Sequence, residues 1–374
     1  MEDNFIKIQR WLYPFSCLYG LGVWIRNRLF DYGILHSESF DVPVISIGNI
    51  TVGGTGKTPH TEYLIKLLKP EFKVGVLSRG YKRKSTGFQM VDLNSSAEMA
   101  GDEPYQMKQK FPEIYMAVDK DRRHGIEQLC DNKIVPETEV VLLDDAFQHR
   151  YVKPGISILL VDYHRMICDD ALLPAGRLRE QAGGRHRANI VIVTKCPRYI
   201  KPMDYRIISK QMDLFPYQQL YFSTFRYKEL TPVYNRELPQ RPLSGLGKDE
   251  HVLLLTGIAS PKQMMQDLST YTPNVKALAF GDHHQFGKED MALLKTQFDN
   301  LPDKKLIITT EKDAARLIGS PYIDETLKKY IYALPIEIEF LQNQQDNFNQ
   351  NIIGYVKKNK RNSILSKREN AYPS

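Results

Sequence analysis

Short apolar stretches alternate with helix-length segments along most of the chain. Several of these stretches are unbroken β-branched runs rather than alternating apolar and polar positions. Unbroken runs are typical of parallel strands covered on both faces, and helix-length spacers between strands indicate βαβ units. The pattern therefore predicts an α/β fold with parallel sheets and helices on both faces. The predicted strands are Val42–Ile50, Lys73–Leu77, Val140–Leu143, Ile156–Asp162, Asn189–Lys195, Val252–Thr256, Val275–Phe280 and Lys305–Thr309.

A proline-rich stretch with weaker periodicity interrupts this pattern between residues 201 and 248. We interpret it as a connection between two α/β lobes, and a length of 374 residues agrees with two domains. The predicted division is an N-terminal segment at 1–35, a first lobe at 36–215, a second lobe at 216–345 and a tail at 346–374.

The N-terminal segment has a pattern of its own. From Trp11 to Ile25 it holds both tryptophans and no charged residue, and basic residues flank it on each side. A spanning helix needs roughly 20 apolar residues, and this run is shorter and contains one proline and two glycines. Aromatic residues flanked by Arg and Lys are typical of a helix in the membrane interface. The alternative is a helix packed into the core.

Composition narrows the class of protein. With 42% hydrophobic and 25% charged residues, the chain is an ordinary globular protein, which excludes a collagen-like fibre, a disordered tail and a polytopic membrane protein. Its four cysteines form no C-x-x-C pair, which argues against a disulfide framework or a zinc ribbon and agrees with a reducing cytoplasm.

The net charge of +7 is concentrated near the C-terminus. Residues 355–374 contain six basic residues and one acidic residue, a net +5, which leaves +2 for the rest of the chain. A nucleic-acid-binding domain would show a basic face within its fold, so we predict no nucleic-acid partner. The basic tail is either a solvated, poorly ordered terminus or a segment attracted to an anionic membrane surface.

A glycine-rich loop follows the first predicted strand. The segment Gly48–Thr58 matches the phosphate-binding pattern G-x-x-x-x-G-K-[ST], with Thr51 at the position of the first glycine. In this pattern backbone N–H groups face the phosphates, the lysine reaches the β- and γ-phosphates, and the final hydroxyl ligates Mg²⁺. A helix at Thr61–Leu68 would direct its N-terminal dipole to the same charge. The predicted nucleotide site comprises Thr51, Val52, Gly53, Gly54, Thr55, Gly56, Lys57 and Thr58.

Two adjacent carboxylates follow the buried strand at Val140–Leu143. Asp144 or Asp145 would lie near Mg²⁺ at the carboxyl end of that strand, and the sequence leaves open which one binds the metal. A GTPase would carry an aspartate shortly after Lys195, where this chain has Cys196 and Pro197. The nucleotide is therefore predicted to be ATP.

Kinase chemistry also needs a group that accepts the proton of the acceptor hydroxyl. Asp102 and Glu103, in the turn Gly101–Pro104, are candidates, and a helix cap is the alternative. The run Asp282-His283-His284 could supply an imidazole or be structural. Basic residues near the loops either are solvated or contact phosphates of an acidic substrate; they are Arg79, Lys82, Arg83, Arg122 and Arg123.

Several motifs occur together in an order that resembles the tetraacyldisaccharide 4'-kinases, the lipid A 4'-kinases of Gram-negative bacteria. They are GNITVGGTGKTP (Gly48–Pro59), LSRGY (Leu77–Tyr81), GDEP (Gly101–Pro104), DDAFQH (Asp144–His149), LLPAGRLRE (Leu172–Glu180), DHH (Asp282–His284) and TEKDA (Thr310–Ala314).

This resemblance implies a kinase that transfers the γ-phosphate of ATP, with Mg²⁺, to the 4'-hydroxyl of a lipid A disaccharide 1-phosphate. It also implies two α/β/α lobes joined by a short β linker, and a location on an anionic surface, the cytoplasmic face of the inner membrane. By motif, Asp102 would be the base, supported by His283, and Glu103, Asp144 and Asp145 would serve the metal.

Two other functions remain open from the residues alone. One is a P-loop switch or chaperone ATPase that acts on a protein partner, although no such partner is evident in the sequence. The other is a soluble small-molecule kinase.

Overall fold

The computed structural model describes residues 8–81, 83–235, 237–258, 261–281 and 284–371, with side chains as far as residue 359. The strands are β1 (Val44–Gly48), β2 (Val74–Ser78), β3 (Gln89–Val91), β4 (Tyr115–Val118), β5 (Val140–Leu143), β6 (Ile156–Asp162), β7 (Ile190–Thr194), β8 (Gln219–Tyr227), β9 (Thr231–Pro232), β10 (His251–Thr256), β11 (Val275–Ala279), β12 (Lys305–Thr310), β13 (Ile331–Leu334) and β14 (Ile336–Phe340). The helices are α1 (Tyr13–Asp31), α2 (Lys57–Leu68), α3 (Ala97–Ala100), α4 (Asp102–Lys110), α5 (Arg122–Cys130), α6 (Pro202–Met212), α7 (Pro261–Ser269), α8 (Lys288–Asp299), α9 (Glu311–Ile318) and α10 (Gln345–Ala371).

The chain divides into two compact units, Met1–Phe225 with Ile338–Ser374, and Arg226–Glu337. The unit boundaries fall within β8 and β14, which are neighbours in one sheet. All eight strands expected from the apolar runs are present within a residue or two, and the mixed α/β fold is confirmed. The division of the chain at residues 35, 215 and 345 stays a prediction.

The first unit is built on a sheet with the order β14-β8-β7-β6-β1-β5-β2-β4-β3 among the described residues. The strands from β8 to β4 in this order run parallel, with Ile45 of β1 opposite Leu142 on one side and Ile156 on the other. β1, β2, β5 and β7 are buried along their whole length, which explains their unbroken apolar sequences. α2, α4 and α10 pack on one face, and α5 and α6 on the other.

The order of these strands creates a crevice beside β1. From β1 the chain continues through α2 to β2 on one side, whereas from β6 it continues to β7 on the other. In open α/β sheets, ligands bind outside the carboxyl ends of the strands at such a switch point.

One expectation from the sequence was wrong, and one helix was not foreseen. The proline-rich stretch from residue 201 is not mainly a connection, because it contains α6 and the nine-residue strand β8. Helix α10 was not expected from the sequence, and its side chains Phe348, Ile352 and Val356 are buried in the core of the first unit. Charged side chains on the outer face of that helix obscured its apolar stripe.

Helix α1 docks on the first unit through a narrow face. Ser16 Oγ donates to the carbonyl of Leu172 at 3.0 Å, and a Cβ on Gly20 would lie 2.6 Å from the Leu172 side chain. Near the other end, the Phe30 ring meets that of Tyr151 edge to face, with centroids 5.0 Å apart. Only Ser16, Gly20 and Phe30 of α1 are buried, so α1 is not a core helix.

The second unit carries a smaller sheet with the order β11-β10-β12-β13-β9 among its described residues. Its first four strands run parallel, and β9 pairs antiparallel with β13. Asp313, which is fully buried in the TEKDA motif, accepts hydrogen bonds from the Gly257 N–H and the Thr310 hydroxyl and pairs with Arg316 at 2.9 Å. This motif therefore joins the carboxyl ends of β10 and β12.

Candidate active site

The expected phosphate-binding loop connects β1 to α2. Gly56 precedes the first residue of α2 and has a φ of +85°, a left-handed conformation that favours glycine. Lys57 and Thr58 therefore occupy the first turn of α2, where the backbone N–H groups lack partners within the helix and the helix dipole favours an anion. The loop expected from the sequence thus has the geometry of an anion-binding site.

Side chains and neighbouring backbone hold the outer part of this loop. Thr194 Oγ1 at the end of β7 donates to the Thr55 carbonyl at 2.9 Å, and the Asn49 amide donates to Thr55 Oγ1 at 2.8 Å. The Val52 N–H donates to the Arg177 carbonyl at 2.8 Å. Since these contacts engage the carbonyl and hydroxyl of Thr55 and the N–H of Val52, they fix the conformation of the loop.

His60, which motif matching did not identify, holds the next carbonyl of the loop. It is buried in α2, with Nδ1 2.7 Å from the Gly56 carbonyl and Nε2 3.0 Å from Ser223 Oγ in β8. Burial lowers the pKa of His60 to about 4, so the ring is neutral near pH 7. A neutral imidazole can donate to the carbonyl through Nδ1 and accept from the hydroxyl through Nε2.

We expect His60→Leu to raise the KM for ATP about tenfold while kcat for bound substrates falls less. The substitution leaves the Ser223 hydroxyl unpaired in the core and removes the side-chain hydrogen bond to the Gly56 carbonyl, which keeps only its bond from the backbone N–H of residue 60. We expect a loss of about 1–3 kcal/mol. Steady-state kinetics with varied ATP measures this split. Ser223→Ala serves as the matched control, because it removes only the outer hydrogen bond. An unchanged KM in a folded His60→Leu variant would contradict a role in loop geometry.

The two carboxylates after β5 point to different partners. Asp144 is buried and accepts hydrogen bonds from Thr61 Oγ1 at 3.0 Å and from Ser78 Oγ at 3.3 Å. Asp145 has a φ of +47°, and its Oδ1 lies 3.7 Å from Lys57 Nζ and 3.6 Å from the Arg179 guanidinium. The left-handed conformation at Asp145 therefore turns the second carboxylate towards the lysine of the phosphate loop.

The charge of Asp144 is poorly compensated. Burial raises its pKa to about 7, with a further increase from the negative charges of Glu103 and Asp145, while Lys57 and the Thr61 hydroxyl act in the opposite direction. The carboxylates of the GDEP and DDAFQH motifs therefore lie close enough to repel one another. Such a group of acids is suited to a divalent cation.

We expect Asp144→Asn to make the nucleotide-free, metal-free protein more resistant to urea than the wild type above pH 7. The raised pKa means that folded Asp144 holds its proton more tightly than the unfolded chain does. Its contribution to the free energy of unfolding is complete below the unfolded pKa of about 4 and is lost as the pH rises through about 7. The difference in the free energy of unfolding between Asp144→Asn and the wild type should therefore decrease steadily as the pH is lowered from about 7 to about 4. A gap that is independent of pH would contradict the assignment.

Helix α4 carries Asp102 and Glu103 in its first turn. Asp102 is its first residue, and the position before it is Gly101, with a φ of +94°. A Cβ on Gly101 would lie 3.2 Å from the Tyr81 carbonyl and 3.3 Å from Gly80 Cα. The GDEP and LSRGY motifs are therefore in contact at this turn, which explains the glycine in each.

Glu62 connects the phosphate-loop helix to the helix that carries Asp102. This buried side chain of α2 pairs with Lys110 of α4 at 2.6 Å, and Gln106 of α4 donates to it at 3.4 Å. The sequence contained no signal for this contact, because all three are ordinary helix residues and Glu62 is 44 residues from Gln106 and 48 from Lys110.

The basic residues near the loops differ in their surroundings. Arg122 is buried, and its guanidinium donates to the Asp119 carbonyl at 2.8 Å and to the Asp144 carbonyl at 3.4 Å. Burial lowers the pKa of Arg122 to about 10, so it is still charged near pH 7. Arg123 instead pairs with Asp121. Lys82 lies outside the described residues.

The histidine run belongs to the second unit. Asp282 and His283 lie outside the described residues. His284 Nε2 lies 2.8 Å from Asp290 Oδ2 in α8, and its ring stacks on Phe280 with centroids 4.6 Å apart. These contacts hold the His284 ring in its loop, and the role of the motif stays a prediction.

No three histidine, cysteine, aspartate or glutamate side chains in the described part of the chain lie close enough together to hold a metal ion by themselves. Mg²⁺ in phosphotransferases is usually bound by only one or two carboxylates together with substrate phosphates and water. Asp144 and Asp145 are carboxylates that could bind a metal in this way. Asp145 Oδ1 is buried and has no hydrogen-bond partner.

Comparison with known proteins identifies close relatives. The family model described as LpxK, tetraacyldisaccharide-1-P 4'-kinase, matches residues 8–357. The tetraacyldisaccharide 4'-kinase of Phocaeicola vulgatus is 63% identical over 367 residues, covering 98% of this chain and 100% of that relative. The same enzyme of Flavobacterium johnsoniae is 45% identical over 352 residues, covering 94% and 98%.

A solved structure is also similar along nearly its whole length. It is the crystal structure of the "apo" form of LpxK from Aquifex aeolicus in complex with ATP, with a TM-score of 0.70 and 29% sequence identity. The similarity covers 93% of this chain and 99% of that chain.

Proposed function

The chain belongs to the tetraacyldisaccharide-1-P 4'-kinase family, and we propose that it transfers the γ-phosphate of ATP to the 4'-hydroxyl of a tetraacyldisaccharide 1-phosphate. The reaction is a step in lipid A biosynthesis. The observation that carries this function is the combination of a glycine-rich phosphate loop, an acidic group beside its lysine, and the match to the family along nearly the whole chain.

ATP is the phosphate donor, and the segment Thr51–Thr58 holds its phosphates. Lys57 supplies positive charge to the β- and γ-phosphates from the first turn of α2, next to Asp145 at 3.7 Å. The neighbouring Arg179, 3.6 Å from the same Asp145 oxygen, adds a second cation at this edge. Both cations favour the charge that develops on the transferred phosphoryl group.

Mg²⁺ would be held by Asp144, Asp145 and the Thr58 hydroxyl, with Glu103 near it. When bound, it would neutralise phosphate charge and orient the γ-phosphate. The raised pKa of Asp144 supports this proposal, because it reflects burial and then the like charges of Glu103 and Asp145, and a bound cation would offset the cost of both.

Asp102 accepts the proton of the 4'-hydroxyl in this mechanism. Asp102 is the first residue of α4. The next residue, Glu103, is close enough to Asp144 to raise the pKa of Asp144. A carboxylate at this place can orient the acceptor hydroxyl towards the phosphate held by the loop.

The acceptor is a lipid, and we place the enzyme at the cytoplasmic face of the inner membrane, bound to the anionic bilayer surface through α1 and the turn just before it, which holds Trp11. Trp11 and Leu18 are 73% and 69% exposed, and Phe15 and Trp24 are also exposed. No described helix is both long and apolar enough to cross a membrane. Exposed aromatic side chains next to Arg26 and Arg28 are suited to the interface between headgroups and acyl chains.

A direct test incubates the full-length protein with labelled ATP, Mg²⁺ and a tetraacyldisaccharide 1-phosphate dispersed in detergent. Label in the lipid product supports the kinase. Label released only as inorganic phosphate would overturn it and favour an ATPase.

We expect Trp11→Ser with Leu18→Ser to reduce binding to anionic vesicles at least about tenfold, because two large apolar side chains leave the interface. Vesicle flotation measures the bound fraction. Turnover of detergent-dispersed acceptor should change much less, since α1 docks through its other face. Wild-type binding by this double variant would exclude α1 as the membrane contact.

A further inference from the structure

The loop after β7 and the first turns of α6 present a second surface that the kinase reaction does not use. We define the α6 shoulder as the exposed residues Arg198, Tyr199, Lys201, Met203, Arg206 and Ile207. Tyr199 is 95% exposed and Met203 is 63% exposed. Large apolar side chains with this exposure, spaced four residues apart from the loop into the first two turns of α6, form a patch rather than isolated surface residues.

Helix α6 has an inner face that fixes the direction of this patch. Ile208 and Met212 are buried in the core, and the Tyr205 ring meets Phe222 edge to face with centroids 4.7 Å apart. Met203 and Ile207 are one turn apart on the opposite, exposed face, and Tyr199 precedes them by the same spacing in the loop.

The α6 shoulder lies at the same edge of the sheet as α1. β7 runs parallel to β6 and β1, so the loop after β7 leaves the sheet at the edge from which the phosphate loop and the segment after β6 also leave. The latter segment supports α1, through the Ser16 contact with Leu172 and the Tyr19 hydroxyl, which donates to the Arg179 carbonyl at 2.7 Å.

The charges of the α6 shoulder are suited to an anionic lipid surface. Arg198, Lys201 and Arg206 are exposed, whereas the only acid among residues 198–207, Asp204, is half-buried near Tyr163. Basic residues interleaved with aromatic and aliphatic side chains are the composition of surfaces that bind anionic membranes.

We propose that the α6 shoulder is a second membrane contact, which binds anionic phospholipid headgroups and the outer acyl region together with α1. This proposal rests on the membrane location given above for α1. Two separated contacts at one edge orient the protein on the bilayer, so that the carboxyl ends of the parallel strands face the lipid acceptor. Their effects on binding multiply, because the second contact forms on a protein that is already held at the surface.

The test uses full-length protein and vesicles of phosphatidylcholine with phosphatidylglycerol, compared with phosphatidylcholine alone. We expect Tyr199→Ser with Met203→Ser to weaken binding about tenfold on both kinds of vesicle. Arg198→Gln with Lys201→Gln should weaken it about fivefold per residue on the anionic vesicles only. The matched control is Phe215→Ser with Tyr217→Ser, two exposed aromatic residues before the amino end of β8, at the opposite edge of the sheet.

The outcomes separate this proposal from the role of α1. If the α6 shoulder variants bind like the control while the α1 variant is released, the second contact is wrong and the membrane location stands. If the α1 variant also binds like wild type, the membrane location itself fails. Unchanged vesicle binding with a loss of self-association in sedimentation would assign the α6 shoulder to a second copy of the chain and overturn the proposal. Turnover of detergent-dispersed acceptor by the α6 shoulder variants should match that of the wild type. If Tyr199→Ser with Met203→Ser does not fold, the single variant Tyr199→Ser takes its place.

Discussion

Lys57→Met is expected to lower kcat/KM for ATP roughly 100- to 1,000-fold in the lipid kinase assay. The substitution removes the cation at the start of α2 whose Nζ lies 3.7 Å from Asp145. The phosphate charge that develops during transfer would then be stabilised by the backbone N–H groups of the loop and by Arg179. The measurement is initial rate against ATP concentration with detergent-dispersed acceptor.

Lys66→Met is the matched control for this substitution. Lys66 lies on the exposed face of the same helix, so its removal changes the same charge and volume away from the loop. We expect wild-type kinetics from Lys66→Met. Comparable losses in both variants would show that the helix, rather than the phosphate contact, is responsible.

Asp102→Asn is expected to reduce kcat roughly 100- to 10,000-fold with little change in the KM for either substrate. The amide keeps the size of the carboxylate at the start of α4 but cannot accept the proton of the 4'-hydroxyl. Single-turnover measurement with saturating ATP isolates the chemical step from binding. Turnover above about a tenth of the wild-type rate would assign the base elsewhere.

Two further variants separate the base from other effects of charge at this site. Glu103→Gln removes the neighbouring carboxylate and is expected to raise the Mg²⁺ concentration needed for half-maximal rate rather than abolish transfer. Glu98→Gln removes an exposed carboxylate of α3 that pairs with Lys84 at 2.7 Å, and should behave as wild type. A large loss in Glu98→Gln would indicate that the whole α3–α4 segment is sensitive to substitution.

Much of the fold could be predicted because its signals are local. The central strands of the first sheet are buried on both faces, so their sequences are unbroken apolar runs that stand out without tertiary information. Strand β8 was missed because its burial changes along its length and a proline-rich context surrounds it. Helix α10 was missed because many charged and polar residues surround the few apolar side chains that it buries.

The candidate site also contains residues that local sequence predicts and residues that it does not. The phosphate loop is a continuous segment whose glycines and lysine have a fixed spacing, so the sequence alone predicts it. His60, Thr61 and Glu62 follow that loop directly, but their roles depend on partners in distant segments, namely Ser223, Asp144 and Lys110. A single sequence contains no spacing rule for such contacts, and nothing in it distinguishes them from ordinary helix residues.

The sequence by itself determined the fold class, the phosphate loop, the acidic motifs and the family, because each depends on residue type and spacing within short segments. Only the tertiary structure decided which carboxylate meets Lys57, since that depends on the left-handed backbone at Asp145. The tertiary structure also decided that α1 exposes its apolar residues and that the loop after β7 lies at the same edge of the sheet as α1. Exposure and juxtaposition arise from packing between segments far apart in the chain, and local sequence patterns do not encode them.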